Sequence, residues 1–460
     1  MGKMLWMRAH AARALERLAG AEVGSGEWRA VARFISGLFL LLTAYYILKV
    51  IREPLILATD GAVSRSYARA VQAALLMAAV PLYSALANRI TPSTLVQYVF
   101  LFFVACLLVF CGLGRAGVHI GFAFFVWLGI FSTMSIAQFW SLGNDLLSEA
   151  EGERLFPLIA IGGTLGAFTG AQIAAQGIAA LGPYRLMLLA ALCIVGCMAC
   201  TASGARAWRV HRDGSAAGVS PVSARRARPV HDPRGGFTLL LRDRYLLLIS
   251  CAVLLVNVVN TTGDYMLAEL VSREAAAVTA GMVDAEQARR AYIGHFYGMF
   301  QTAISVLTAI AQMLLVARLL RWAGLERALF VLPAIVLLGY GAVALLPLLG
   351  LLAAVKATEN STEYSLQNTL QQALFLPTSR ETKYKAKAAI DTFVVRAGDV
   401  GSAALVYLGT QFALGVRGFA VANLCIGALW VLLVVRLARR HRELSAHPAG
   451  QASERAAPAC

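Results

Sequence analysis

Ionisable and amide-bearing residues recur inside stretches that are otherwise apolar, and their spacing is that of a helix. Lys356, Glu359, Asn360, Glu363, Tyr364, Gln367, Asn368 and Gln371 follow one another closely, so one side of a helix is polar for about four turns. Such a helix lines a wet cavity or joins a network between helices. Within it Lys356 can pair with Asn360, and Glu359 with Glu363.

Three further groups have the same character. Lys49, Arg52 and Glu53 share a face in AYYILKVIREPLILATDG, and Pro54 follows as a helix breaker. They are either a cluster reaching out to the membrane boundary or a cationic contact for an anion. Asn257, Asn260, Thr261 and Asp264 form a stripe that either glues helices together or lines a cavity. Arg396 and Asp399 stand one turn apart and can neutralise each other, with Asp391 ahead of them. Charges at membrane depth cost several kcal/mol unless paired or wetted, so each is a functional candidate. Guanidinium forks onto phosphate or carboxylate oxygens, while amides pair with a base or a sugar. Together they suit a small anion with hydrogen-bonding edges. Asp264, Glu363, Asp391 and Asp399 could each carry a proton, and spacing does not rank them.

The elements that must position these groups are membrane-crossing helices. Of 460 residues 59% are hydrophobic and 14% charged, and apolar runs of about 20 residues, enough to cross a ~30 Å hydrocarbon core, recur throughout. The fold class is therefore an all-α membrane protein. Twelve spans are expected, near 33–57, 67–88, 94–113, 118–142, 155–181, 184–203, 244–271, 292–317, 327–347, 349–376, 387–413 and 416–437.

The stretch 205–243 is rich in Arg, Gly, Ser and Pro and cannot bury a core. Read as a basic cytoplasmic linker, it divides a six-helix bundle at 33–204 from a second at 244–437, the plan of major-facilitator transporters. Residues 1–32 form an amphipathic N-terminus without a cleavable signal, and 438–460 a tail. With both termini in the cytoplasm, most of the 41 Lys and Arg fall on inner segments. That asymmetry accounts for the net charge of +16 without a nucleic-acid partner. A bacterial inner membrane, multi-pass, is the expected location, with the lipid bilayer as partner and a monomer as the assembly.

Arg154, Arg380, Lys383, Lys385 and Lys387 gather at the cytoplasmic mouth, as positive-inside charge or as a funnel for anions. Gly162, Gly166 and Gly170 form a glycine face suited to close helix packing, since the Lys-Ser/Thr of a phosphate loop is missing. Trp140-Ser-Leu-x-Asn144 and Tyr364-Ser-Leu-x-Asn368 are a faint repeat, which marks Asn144 as a further candidate. Cys193, Cys197 and Cys200 read as small packing residues, and the scattered histidines offer no ligand spacing. No catalytic constellation, Walker sequence or cofactor motif is found, so neither an enzyme nor a primary pump is expected.

Three segments resemble the ATP/ADP translocase family of plastids and obligate intracellular bacteria, the non-mitochondrial nucleotide transporters. They are KYKAKAAID at Lys383–Asp391 following EYSL at Glu363–Leu366, the run AQFWSLGNDLLSEAEGERLFPLIAIGGTLGA, and YILK-x2-RE at Tyr46–Glu53. The resemblance spans about 33–437. It implies twelve helices, a central path, and exchange of nucleotides without hydrolysis. It matches Arg52 to the family's first-helix lysine, puts the family's fourth-helix glutamate near Leu128, and aligns Asn260 and Asp399 with a glutamate and a lysine. The resulting expectation is a secondary transporter exchanging ATP/ADP-like nucleotides or a related phosphorylated anion by alternating access. A major-facilitator-type carrier of a non-nucleotide solute and a non-transporting membrane scaffold are the alternatives.

Overall fold

A computed structural model of the chain describes residues 27–87, 92–215, 243–375, 387 and 389–446. All regular structure among them is helical. By contacts the chain forms two compact units. The first draws on Met1–Thr59, Ala79–Arg225 and Gly281–Thr302, the second on Asp60–Ala78, Arg226–Ala280 and Ala303–Cys460.

The helices are α1 (Trp28–Leu57), α2 (Gly61–Ala87), α3 (Pro92–Arg115), α4 (Gly121–Leu146) and α5 (Glu149–Ser215). After the linker come α6 (Arg244–Val278), α7 (Ala285–Ile310), α8 (Ala317–Ala328) and α9 (Val331–Leu345). The last are α10 (Leu349–Thr362), α11 (Asn368–Leu374), α12 (Val395–Gln411) and α13 (Val416–Ala446). Seven of the described helical stretches are long and apolar enough to cross a membrane. The longest, α5, breaks at Gly182, whose φ of 70° and ψ of 171° leave the helical region. That positive φ is open to glycine at little cost, and Pro183 then starts the second arm. Each arm exceeds the roughly 20 residues a crossing needs. The second arm continues to Ser215, beyond the expected end of the span at 203, and buries Trp208.

The first unit is built on an apolar core. Leu41, Ala44, Ile47, Leu48 and Ile51 of α1 meet Phe100, Phe103 and Leu107 of α3, Phe124, Leu128 and Phe131 of α4, and Ile194 and Cys197 of α5. Trp127 stacks between Phe124 and Phe131 at centroid distances of 5.6 and 5.4 Å. Leu128 is fully buried in this core.

Gly162, Gly166 and Gly170 of α5 lie against α1. A Cβ on any of them would collide with the carbonyl oxygen of Ile35, Phe39 or Thr43 respectively. The Thr43 hydroxyl donates to the Gly166 carbonyl across this seam, at 3.3 Å. Without a hydrophobic drive between helices in lipid, such close backbone approach is what holds them together. Pro54 does not end α1 as expected: the helix continues to Leu57, and the Ala58 amide bonds the Pro54 carbonyl. A proline in the last turn removes one donor, and the following turn closes on its carbonyl oxygen.

In the second unit α6 packs against α10, α12 and α13, and α9 against α10 and α13. Three π-helical turns interrupt its helices: Ala311–Val316, Glu363–Gln367 and Ile390–Val394. Such turns are rare and gather at functional sites because they re-aim side chains.

Candidate functional site

The site grows from α6 and the polar helix α10. Two glycines make it possible. A Cβ at Gly263 would strike the Tyr340 hydroxyl and the Lys356 stem, and one at Gly398 would meet the Asn257 side chain at 2.8 Å. Their bareness lets α9, α10 and α12 bring polar groups against α6.

Lys356 is the hub. It is 0% exposed, and its Nζ donates to Asn260 Oδ1 at 2.5 Å and to the Asn260 carbonyl at 3.0 Å. It also stands 3.3 Å from Asp264 Oδ1 and 3.2 Å from Glu359 Oε2. The Tyr340 hydroxyl donates to Glu359 at 2.8 Å. From α2, Arg69 meets Asp264 at 2.9 Å and donates to Thr261 at 3.1 Å, while Arg65 lies 4.0 Å from Asp264. Thr261 in turn donates to Asp399 at 3.4 Å, and Arg396 meets Asp399 at 3.3 Å. The Asn260 amide donates to Glu363 Oε2. One connected network thus holds four cations, Arg65, Arg69, Lys356 and Arg396, and four acids, Asp264, Glu359, Glu363 and Asp399. Buried pairs of this kind are held by reciprocal charge, and losing either partner strands the other.

Beside the network, a cleft of about 380 Å³ opens between α6, the start of α12 and the π turn before α11. Asn257, Glu363, Tyr364, Gln367, Asn368 and Gln371 supply its polar wall, and Val253, Val256 and Val395 its apolar one. Asn257 also donates to the Val395 carbonyl at 2.5 Å, tying α6 to α12. Glu363 belongs to both cleft and network. Among the described residues no group of three His, Cys, Asp or Glu side chains is gathered as metal ligands.

The expected candidates therefore separate. Asn257, Asn260, Asp264, Lys356, Glu363, Tyr364, Gln367, Asn368, Arg396 and Asp399 come together in the second unit through network or cleft. Asn360 is buried next to them, but its Oδ1 accepts no bond from the described residues. Two expected pairings are corrected: Lys356 does not bond Asn360, and Glu359 does not bond Glu363. Lys356 turns to Asn260 and Asp264 on α6, and Glu359 turns to Lys356 on its own helix and to Tyr340 on α9.

Lys49, Arg52 and Glu53 belong to the first unit. There Arg52 pairs with Glu53 at 3.0 Å and lies over the Phe125 ring at 4.3 Å, and Lys49 lies 5.2 Å from the Tyr46 ring. Asn144 is exposed on α4. Arg154 bonds both Glu27 oxygens, at 2.8 and 3.0 Å, ahead of α1. Lys387 donates to Gln372. Arg380, Lys383 and Lys385 lie outside the described residues, and so does the Asp391 side chain.

Three members of the network were not anticipated. Arg65 and Arg69 are four residues apart in SRSYAR and therefore on one face of α2. That was the available signal, but the expected span began at 67 and left them at its rim. Tyr340 sits in an apolar helix, and nothing local separates it from a packing tyrosine. A second hollow, of about 530 Å³, lies at the α5 break in the first unit, lined by Pro183, Tyr184, Asp284 and Arg290. Its Arg290 already pairs with its own Glu286, so little charge is left there for a ligand.

No protein-family model matches the sequence, and no curated protein matches it. Solved structures do share its fold. A crystal structure of the nucleoside transporter NupG covers 90% of this chain and 98% of its own, with a TM-score of 0.58 and 11% identity. A bacterial homologue of the iron transporter ferroportin, in the inward-facing state, covers 89% and 98%, with a TM-score of 0.59 and 14% identity. The POT family transporter PepTSo covers 91% and 98%, with a TM-score of 0.56 and 12% identity. The chain is an all-α, multi-pass membrane protein with the major-facilitator-like fold.

Proposed function

We propose that this protein is a secondary transporter that moves a small polar solute by alternating access, and that the solute is a nucleotide or a related phosphorylated anion. The observation that carries the proposal is the cleft of about 380 Å³ joined through Glu363 to the charge network. Packing alone does not call for so many charges inside apolar helices, where each is costly. Transporters among the like folds, one of them for nucleosides, support the carrier part. The nucleotide part rests on the resemblance of 33–437 to the nucleotide translocases and on the carboxamides of Asn257, Gln367, Asn368 and Gln371. Those groups can pair with the edges of a base or a sugar.

One observation favours a non-nucleotide cargo. The network's four cations are matched by four acids, so with all of them ionised it presents no surplus charge to an anion. Exchange of labelled ATP, ADP and nucleosides into preloaded proteoliposomes separates the two readings. Saturable exchange of a nucleotide is the expected result. Exchange of nucleosides alone would move the cargo to the second reading, and exchange of neither would contradict the nucleotide proposal.

A further inference from the structure

The charge balance has one weak member. Asp264 faces Arg65, Arg69 and Lys356, Glu359 faces Lys356, and Asp399 faces Arg396. Glu363 has no cation within ion-pair distance among the described residues. Its Oε2 accepts from the neutral Asn260 amide, and its Oε1 accepts nothing from them. Asn260 is itself held by Lys356, so the carboxylate sits at the end of a chain running Lys356, Asn260, Glu363. On its other side Glu363 lines the cleft. It lies near the middle of the stretch from Leu349 to Leu374, about 15–20 Å from either end at helical rise.

We propose that Glu363 is the proton-binding residue of this carrier, taking up one proton as an anionic cargo enters the cleft. The inference rests on the carrier reading above. With Glu363 ionised the network is neutral and a carboxylate faces the cargo. With Glu363 protonated the other three acids leave one positive charge uncompensated beside the cleft. A proton from cleft water placed on Oε1 thus converts a site that repels an anion into one that attracts it.

Among the described residues, the neighbouring helices bring the following charged and titratable groups around Glu363. They are Arg65 and Arg69 on α2, Asp264 on α6, Tyr340 on α9, Lys356 and Glu359 on α10, and Arg396 and Asp399 on α12. The π turn Ala311–Val316 contributes no titratable group. The network's other acids, Asp264, Glu359 and Asp399, are each committed to a cation, so their protonation would break an ion pair. That of Glu363 breaks none.

The test uses purified protein and ADP between pH 7 and 8.5, where the charge of ADP itself is nearly constant. In the wild type, affinity is expected to rise by up to about tenfold for each pH unit lowered, with about one proton taken up per ADP bound. The proton count is read from binding enthalpies in buffers of different ionisation heat. Glu363→Gln keeps the hydrogen bond to Asn260 and removes the proton site. Its affinity is expected to be independent of pH within about twofold, and Glu363→Asp is expected to retain the dependence. In proteoliposomes Glu363→Gln should lose accumulation driven by a pH gradient, and any ADP counterflow it retains should no longer depend on pH. Wild-type binding without proton uptake would overturn the inference even if the glutamine variant failed to fold, and so would pH-driven accumulation by that variant. Absence of ADP binding and counterflow in the wild type would instead remove the carrier reading beneath it for this cargo, and the inference with it.

Discussion

Replacing Lys356 with methionine is expected to destabilise the protein by about 3–5 kcal/mol. Lys356 is 0% exposed and is the shared partner of Asp264, Glu359 and Asn260. Methionine fills most of the same space, so the loss is one of charge rather than packing. Asp264 retains Arg69 at 2.9 Å, but Glu359 is left buried with only the Tyr340 hydroxyl. Adding Glu359→Gln to Lys356→Met removes the stranded charge and keeps the tyrosine bond, so the double variant is expected to recover part of the loss. Thermal and denaturant unfolding of detergent-solubilised protein measures both. A Lys356→Met protein as stable as the wild type would show that the network is not a buried ion-pair system.

The second large effect is steric. Gly166→Ala is expected to cost about 1–3 kcal/mol, because its new methyl group would run into the Phe39 carbonyl oxygen on α1. Backbone cannot swing aside as a side chain can, so the helices must separate, and flanking Gly162 and Gly170 lose their contacts with Ile35 and Thr43 as well. Gly112→Ala is the matched control. It lies in α3 with nothing within 4 Å of its added Cβ, and helix propensity alone makes that change neutral or stabilising by up to ~1 kcal/mol. Equal stability of the two variants in the same unfolding measurement would contradict the close-packed seam.

Much of the fold was legible because lipid imposes a simple rule on sequence: a crossing segment must be apolar and long. The described helices overlap the expected spans, and the α5 break at Gly182 and Pro183 falls between the expected spans that end at 181 and start at 184. Helix ends were less legible. α13 continues to Ala446 and α5 to Ser215 because basic residues extend a helix into water as readily as they end it.

The polar face from Lys356 to Gln371 was visible as a period of three to four. Its first half, Lys356 and Glu359, proves to be network and its second half, Tyr364 to Gln371, cleft wall. What spacing could not give was who pairs with whom. Lys356 had Asn360 one turn away along its own helix, yet it binds Asn260 and Asp264 on α6, an approach that the bare Gly263 permits. Arg65 and Arg69 were hidden for the same reason, since their acid lies about 200 residues away in the chain. The balance of charge, on which the cargo turns, exists only once those partners are known.

A carrier of this design needs its cleft wet at membrane depth. In a background with the eight native cysteines replaced, Gln367→Cys tests this with a membrane-impermeant maleimide applied to oriented vesicles. Leu338→Cys, on the apolar helix α9 and 77% exposed, is the control for a side chain facing lipid. Labelling of Gln367→Cys from at least one face, slowed by saturating ADP, with Leu338→Cys unreactive, is the predicted result. A Gln367→Cys protein as inert as Leu338→Cys from both faces would contradict it.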